Sequence, residues 1–326
     1  MTDELELLRG ADPVSAETGP WRDRPLDARA ELLLRRLGLQ RRRRTVRFRL
    51  LAVEGVAAAA VLALALTVSD GGSTPAVAAP RPLVAHTSRA DVPLAEIARR
   101  ARAAAEAAEG RSVRGSHVQR WSMAMESGKD ARPPVTAPVE SVTTWNADGS
   151  GTLLEVATDP RYPGRPVIDD TTPPRTVHDG KVLHREHYPK GTYGANEDYF
   201  EAPPAGVAAL RSYLAAWLPG ADEDPVSLLS AVESFRSVWT PGPRQIADIA
   251  TLLSRVEGMR PAGRVTDRLG REGQGFRMPG VNGGRYLVIL DPDDGRLLDI
   301  ELTTTRADPE YRLKAGAVMS YTAWRD

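Results

Sequence analysis

The run Leu50–Val68, LLAVEGVAAAAVLALALTV, constrains this chain more than any other feature, because its nineteen residues carry a single charge, Glu54. A helix that crosses the hydrocarbon core of a bilayer needs about 20 predominantly apolar residues. Glu54 lies one turn from the N-terminal end of the run, where it can reach the interface or pair with a nearby arginine. Arg41, Arg42, Arg43, Arg44, Arg47 and Arg49 stand before the run; Asp70, Gly71, Gly72, Ser73 and Thr74 follow it. Basic flanks stay in the cytoplasm, so the expected topology is a cytoplasmic N-terminus, one transmembrane helix and an extracytoplasmic remainder in the cell membrane. Two other readings compete. A buried helix of a soluble domain is usually shorter and rarely follows an arginine run. A cleaved signal peptide would use Ala76-Val77-Ala78, which has the small-x-small form of a processing site. The long segment ahead of the run, with helical patterns of its own, favours the anchor.

Charge is distributed in keeping with that topology. The 326 residues sum to zero, but residues 1–49 hold 12 arginines against 8 acidic residues, and the remainder is negative by the same margin. A folded part with an acidic balance argues against nucleic acid as a partner. The absence of cysteine excludes disulfides, thiolate metal sites and a cysteine nucleophile. The outer domain must then be held by its own core, which roughly 200 residues can supply.

Residues 1–49 contain two short helical patterns. Leu5 and Leu8 are helically spaced in the first, and Leu26, Ala30, Leu33, Leu34 and Leu37 form an apolar stripe ended by Gly38. Helices this short are marginal alone in water, so the stripe Leu26, Ala30, Leu33, Leu37 is read as a docking element for a cytoplasmic partner.

Residues 69–89 are rich in Gly, Pro and Ala and read as a linker. In the domain that follows, over 90–326, Ala90–Glu109 has the spacing of an amphipathic helix. Alternation then predicts strands over 117–126, 139–146, 152–158 and 181–188. The period changes to helical over 207–218, 225–238 and 243–256, each stretch opening near a proline. Strands return over 264–267, 273–278, 285–290, 296–305 and 317–324. The expected fold is α+β: a curved antiparallel sheet with an N-terminal helix and a helical insertion.

Chemistry is hard to find in this pattern. His184-Arg185-Glu186-His187 invites a metal, but positions three apart on a strand face opposite sides. Asp291-Pro292-Asp293-Asp294-Gly295 lacks calcium-loop spacing and reads as a hairpin turn. Gly270, Gly273 and Gly275 form no dinucleotide fingerprint, and neither a nucleophile elbow nor a phosphate loop is present. No catalytic residue, metal ligand or cofactor is expected, and the chain is read as a non-enzyme. On the 117–126 strand, Gln119, Trp121, Met123 and Met125 share a face. Trp121, Met123 and Met125 could line a lipid or peptide cavity, or serve as ordinary core.

Several stretches together resemble a family of uncharacterised actinobacterial single-pass membrane proteins. They are Asp3-Glu4-Leu5-Glu6-Leu7-Leu8-Arg9 ahead of the arginine-rich stretch, the Ala/Leu run with its Pro/Ala linker and Ala-rich helix, and three C-terminal pieces. Those pieces are Leu287-Val288-Ile289-Leu290-Asp291-Pro292, Asp294-Gly295-Arg296-Leu297-Leu298, and Ala315-Gly316 followed by Ser320-Tyr321-Thr322-Ala323-Trp324. Members often accompany extracytoplasmic-function sigma factors, so the resemblance implies an anti-sigma-like or sensor function with a sigma factor as partner. The chain lacks the His-and-Cys zinc signature of many anti-sigma domains. The outer domain is also similar in outline to lipoprotein-carrier and sigma-regulator sensor folds. That similarity implies an alternative, an anchored carrier of a lipid or other apolar ligand.

Overall fold

A computed structural model describes residues 80–87, 91–123, 138–158, 180–190, 201–309 and 313–325. The apolar run, its arginine flank and the Leu26–Leu37 stripe lie outside these residues, as does Met125. Among the described residues no helix is long and apolar enough to cross a membrane.

The elements follow the periodicities, except that the strands read at 117–126 and 264–267 begin four residues earlier, at Val113 and Arg260. Helix α1 (Leu94–Ala107) precedes strands β1 (Val113–Ser122), β2 (Val139–Trp145), β3 (Gly151–Ala157) and β4 (Val182–Tyr188). Helices α2 (Val207–Trp217) and α3 (Pro225–Val238), the two-residue strand β5 (Trp239–Thr240) and helix α4 (Pro243–Ser254) come next. Strands β6 (Arg260–Thr266), β7 (Glu272–Pro279), β8 (Gly284–Leu290), β9 (Leu297–Thr304) and β10 (Val318–Trp324) complete the domain. Pro225 and Pro243 sit at helix starts, where a missing N–H costs nothing, and Asp224 caps α3 by accepting from Ser227 N at 2.7 Å.

The strands form one open antiparallel sheet in the order β4-β3-β2-β1-β10-β9-β8-β7-β6, with β5 added beside the start of β1. The chain therefore begins the sheet at its middle, builds outward to β4, and crosses to the opposite edge through α2, α3 and α4. It then returns strand by strand until β10 pairs with β1, for example Val118 with Trp324. The fold is α+β, with four helices among the described residues.

Residues directly opposite one another in antiparallel strands share a face. One face, carrying Val118, Trp324, Ile300, Val288, Phe276 and Met278, packs against all four helices in the main core. We call this the helix face. Close approach there demands small residues. A Cβ on Gly295, which has φ +76°, would come within 2.7 Å of Ala101 Cβ and 3.3 Å of Ala250 Cβ. Buried Arg236 is accommodated by placing its guanidinium 5.0 Å from the centre of the Trp324 ring.

The other face is crossed by residues 80–87, which we call the strap. Leu83 and Ala85 pack on Ala262, Val265, Leu287, Ile289 and Leu298, while Val84 between them points to solvent. His86 and Arg264 exchange backbone hydrogen bonds of 2.8 and 2.9 Å at edge strand β6. By Val92, whose N–H donates to Gln274 Oε1 at 3.1 Å, the chain has reached the helix face, where α1 begins. The sequence reading placed all of residues 69–89 in a linker. Pro and Ala content hides the alternation of Leu83, Val84 and Ala85, and the edge of β6 supplies the pairing that makes this segment part of the domain.

Candidate functional site

The strap face carries a row of polar side chains that the alternation of the strands forces together. Trp121 on β1 lies opposite Tyr321 on β10, Tyr321 opposite Glu301 on β9, and Glu301 opposite Leu287 on β8. One position along, Gln119 lies opposite Ala323, and Ala323 opposite Asp299. The turn from β6 to β7 adds Asp267, Arg268 and Arg271.

These groups are buried and tied to one another. Trp121 and Tyr321 stack with ring centres 6.3 Å apart and planes within 5°. The Tyr321 hydroxyl donates to Gln119 Oε1 at 3.3 Å. On its other side the Arg268 guanidinium lies 4.8 Å from the Tyr321 ring centre and donates to Glu301 Oε2. Arg268 also donates to the Arg81 carbonyl at 2.9 Å, and Leu83 N–H donates to Glu301 Oε1 at 3.1 Å. The strap is thus bonded to both members of a buried ion pair. Beside it, Asp267 accepts from the N–H groups of Leu269 and Arg271 at 2.9 and 2.7 Å and pairs with the Arg271 guanidinium at 2.6 Å.

Two arginines face three buried carboxylates here, and the imbalance falls on Asp299. Its Oδ2 accepts from Arg268 N at 3.0 Å, but among the described residues no side-chain cation is bonded to it. Complete burial pushes Asp299 well above the ordinary carboxylate range, with the Arg268 backbone and charge opposing. Burial also raises Glu301, against the lowering effect of Arg268, and raises the Tyr321 hydroxyl. Four buried polar atoms in this one cluster have no hydrogen-bond partner among the described residues: Gln119 Nε2, Trp121 Nε1, Arg268 Nε and Asp299 Oδ1. Such atoms are uncommon in folded proteins and concentrate attention on this site.

Further along the same face, buried His117 Nε2 lies 2.5 Å from Glu140 Oε1. The histidine pair singled out by sequence behaves as strand geometry requires. His184 lies opposite Glu155 and His187 opposite Thr152, three positions apart and on opposite faces of β4. Among the described residues no group of three or more His, Asp or Glu is arranged to hold a metal. Asp291 to Gly295 forms a turn in which Asp291 Oδ1 accepts from Asp293 N at 2.8 Å.

Trp121 and Met123 are brought together as alternation requires, packed with Val318 and Tyr321. Trp121 is buried and half-buried Met123 lies beside it. Sequence reasoning did not single out Asp267, Arg268, Asp299 or Glu301. The signal available was weak: Asp299 and Glu301 alternate with Ile300, which reads equally as a solvated sheet face. Comparison with protein-family models finds no match for this chain, and comparison with curated proteins finds no significant match either.

Proposed function

We propose that this chain is a non-enzymatic, membrane-anchored regulator of the sensor or anti-sigma-like kind. In this reading residues 50–68 span the membrane, residues 1–49 dock a cytoplasmic partner, a sigma factor or other regulator, through Leu26, Ala30, Leu33 and Leu37, and the α+β domain lies outside. The observation that supports it is the attachment of the strap. The chain that leads from the apolar run is bonded directly to the Arg268–Glu301 pair. In this reading, a change at that pair would alter the attachment of the chain that leads to the apolar run, the connection a transmembrane sensor requires.

The test is co-purification from the native membrane with residues 1–49 as bait. A cytoplasmic partner should be captured by the wild-type segment and lost when Leu33 and Leu37 are both replaced by Asp, because each charge would enter an apolar interface unpaired. Protease added to intact spheroplasts should digest the domain beyond Asp70 and spare residues 1–49. Recovery of a mature chain starting near Ala79, or protection of the C-terminal domain, would overturn the topology. If the wild-type segment captures no partner, the anchored-carrier reading takes its place.

A further inference from the structure

The row that contains Trp121, Tyr321, Glu301 and Leu287 continues onto Arg277 of β7 and Arg260 of β6. Arg260 and Arg277 are direct cross-strand partners, and Arg285 stands on the same face of β8, opposite Pro279. All three are exposed, and among the described residues none of them has a side-chain hydrogen bond or ion pair. Like charges placed directly opposite each other weaken a sheet. Two other arginines of the domain are paired locally, exposed Arg99 with Glu96 at 2.7 Å and half-buried Arg296 with Asp294 at 2.7 Å.

The three arginines line one cavity of about 550 Å³, together with Gly258, Gly280, Gly283, Gly284 and Thr305. Its rim is the loop from Gly280 to Gly284, which has little side-chain bulk to keep a ligand from the backbone. Asn282 in that loop has φ +53°, the one non-glycine residue in left-handed backbone among the described residues. Thr305 holds the loop in place, donating to the Gly283 carbonyl through both Oγ1 (2.6 Å) and N (2.8 Å). The nearest carboxylate of the row, Glu301, is already bonded to Arg268 and Leu83 N, and lines a neighbouring cavity of about 90 Å³ that Arg277 and Arg285 share. Local violations of pairing rules with no compensating contact mark functional positions.

We infer that Arg260, Arg277 and Arg285 form an oxyanion-binding site for a phosphate group, carried by a soluble phosphate or by an anionic lipid headgroup. Guanidinium forks match phosphate oxygens in pairs, and three of them around one open cavity suit a multiply charged group. The site stands apart from the cytoplasmic stripe, so its test does not depend on any partner of residues 1–49.

The experiment is calorimetric titration of the full-length chain in neutral-detergent micelles with inorganic pyrophosphate, alongside the same micelles doped with phosphatidylglycerol. Pyrophosphate should bind the wild-type chain, more weakly as salt rises. Replacing Arg277 and Arg285 together by Gln should weaken binding by about tenfold or more, the loss expected for charged hydrogen bonds. Arg244→Gln, an exposed arginine at the start of α4, should change nothing. Thermal melts of each variant separate lost binding from lost folding. Competition by phosphatidylglycerol that disappears in the double variant supports the site and identifies the headgroup as its source; pyrophosphate binding without competition supports it and identifies a soluble phosphate. Absence of binding, or binding that the double variant retains, overturns it.

Discussion

At the scale of single residues, Asp299 shows how a position can be settled by what covers it. In an exposed sheet it would be an ordinary carboxylate. Buried beside Arg268, whose charge is engaged by Glu301, it is pushed toward its protonated form. A carboxyl whose folded-state pKa is raised stabilises the fold fully below its unfolded value, near 3.9, and loses that contribution as pH rises through the folded value. Glu301, raised for the same reason, acts in the same direction. Asparagine reproduces the neutral form and keeps an acceptor for Arg268 N. Asp299→Asn should therefore raise the melting temperature at neutral pH by a few degrees and flatten the pH dependence above about 4. Melts of both chains from acid to neutral pH decide the matter, and parallel profiles would show that Asp299 is ionised in the native state. The paired group behaves oppositely. Arg268→Ala leaves Glu301 buried without its cation and should cost about 3–5 kcal/mol in urea unfolding at neutral pH, less at acid pH as Glu301 takes up a proton.

At the scale of elements, the strap is the segment whose structure depends most on a neighbour. Besides its bonds to Arg268 and Glu301 it has two backbone bonds to Arg264 and a few apolar contacts, and Gly263 makes the backbone bonds possible. Gly263 has φ +115°, and a Cβ there would lie 2.4 Å from the His86 carbonyl oxygen. Gly263→Ala should push the strap from the β6 edge, with backbone strain of about 1–3 kcal/mol added. Hydrogen exchange at the Leu83 and His86 amides should then accelerate sharply, while the amides of α4 keep their protection. Equal acceleration at both places would mean that the strap and the core open as one unit. In the regulatory reading, the same variant separates the tether from the Arg268–Glu301 pair without touching either residue.

At the scale of the whole molecule, the sheet is closed at its centre by its first and last long strands. β10 is terminal in sequence but lies between β1 and β9, and it supplies Trp324 to the main core and Tyr321 to the strap-face cluster. A chain ending after Gly316 would lose two rows of backbone pairing at once and expose the flanking strands. That truncation should abolish cooperative unfolding of the domain, as read by circular dichroism across a urea titration. A domain that still unfolded in one sharp transition would show that the halves on either side of β10 are stable separately.

What the sequence determined by itself is the set of elements. The periods of α2, α3 and α4 and their opening prolines are local, so their positions could be read to within a residue or two. Alternation in β1, β8, β9 and β10 is equally local, and in β1 it placed Gln119 and Trp121 on one face and Val118 on the other. Tertiary structure decided everything that depends on pairing across distance: that β1 and β10 meet in the middle, that Pro- and Ala-rich residues 80–87 form a strap, and that two-residue β5 exists at all. It also decided the chemistry of the strap face. The sequence LLDIELTT of β9 describes a half-polar strand with no hint of burial. Only when the strap and the β6–β7 turn fold over it do Asp299 and Glu301 lose their water, and desolvation is a property of the covering chain rather than of the strand. The arginine row has the same origin: Arg260, Arg277 and Arg285 are scattered in sequence, and antiparallel pairing alone brings three like charges to one cavity.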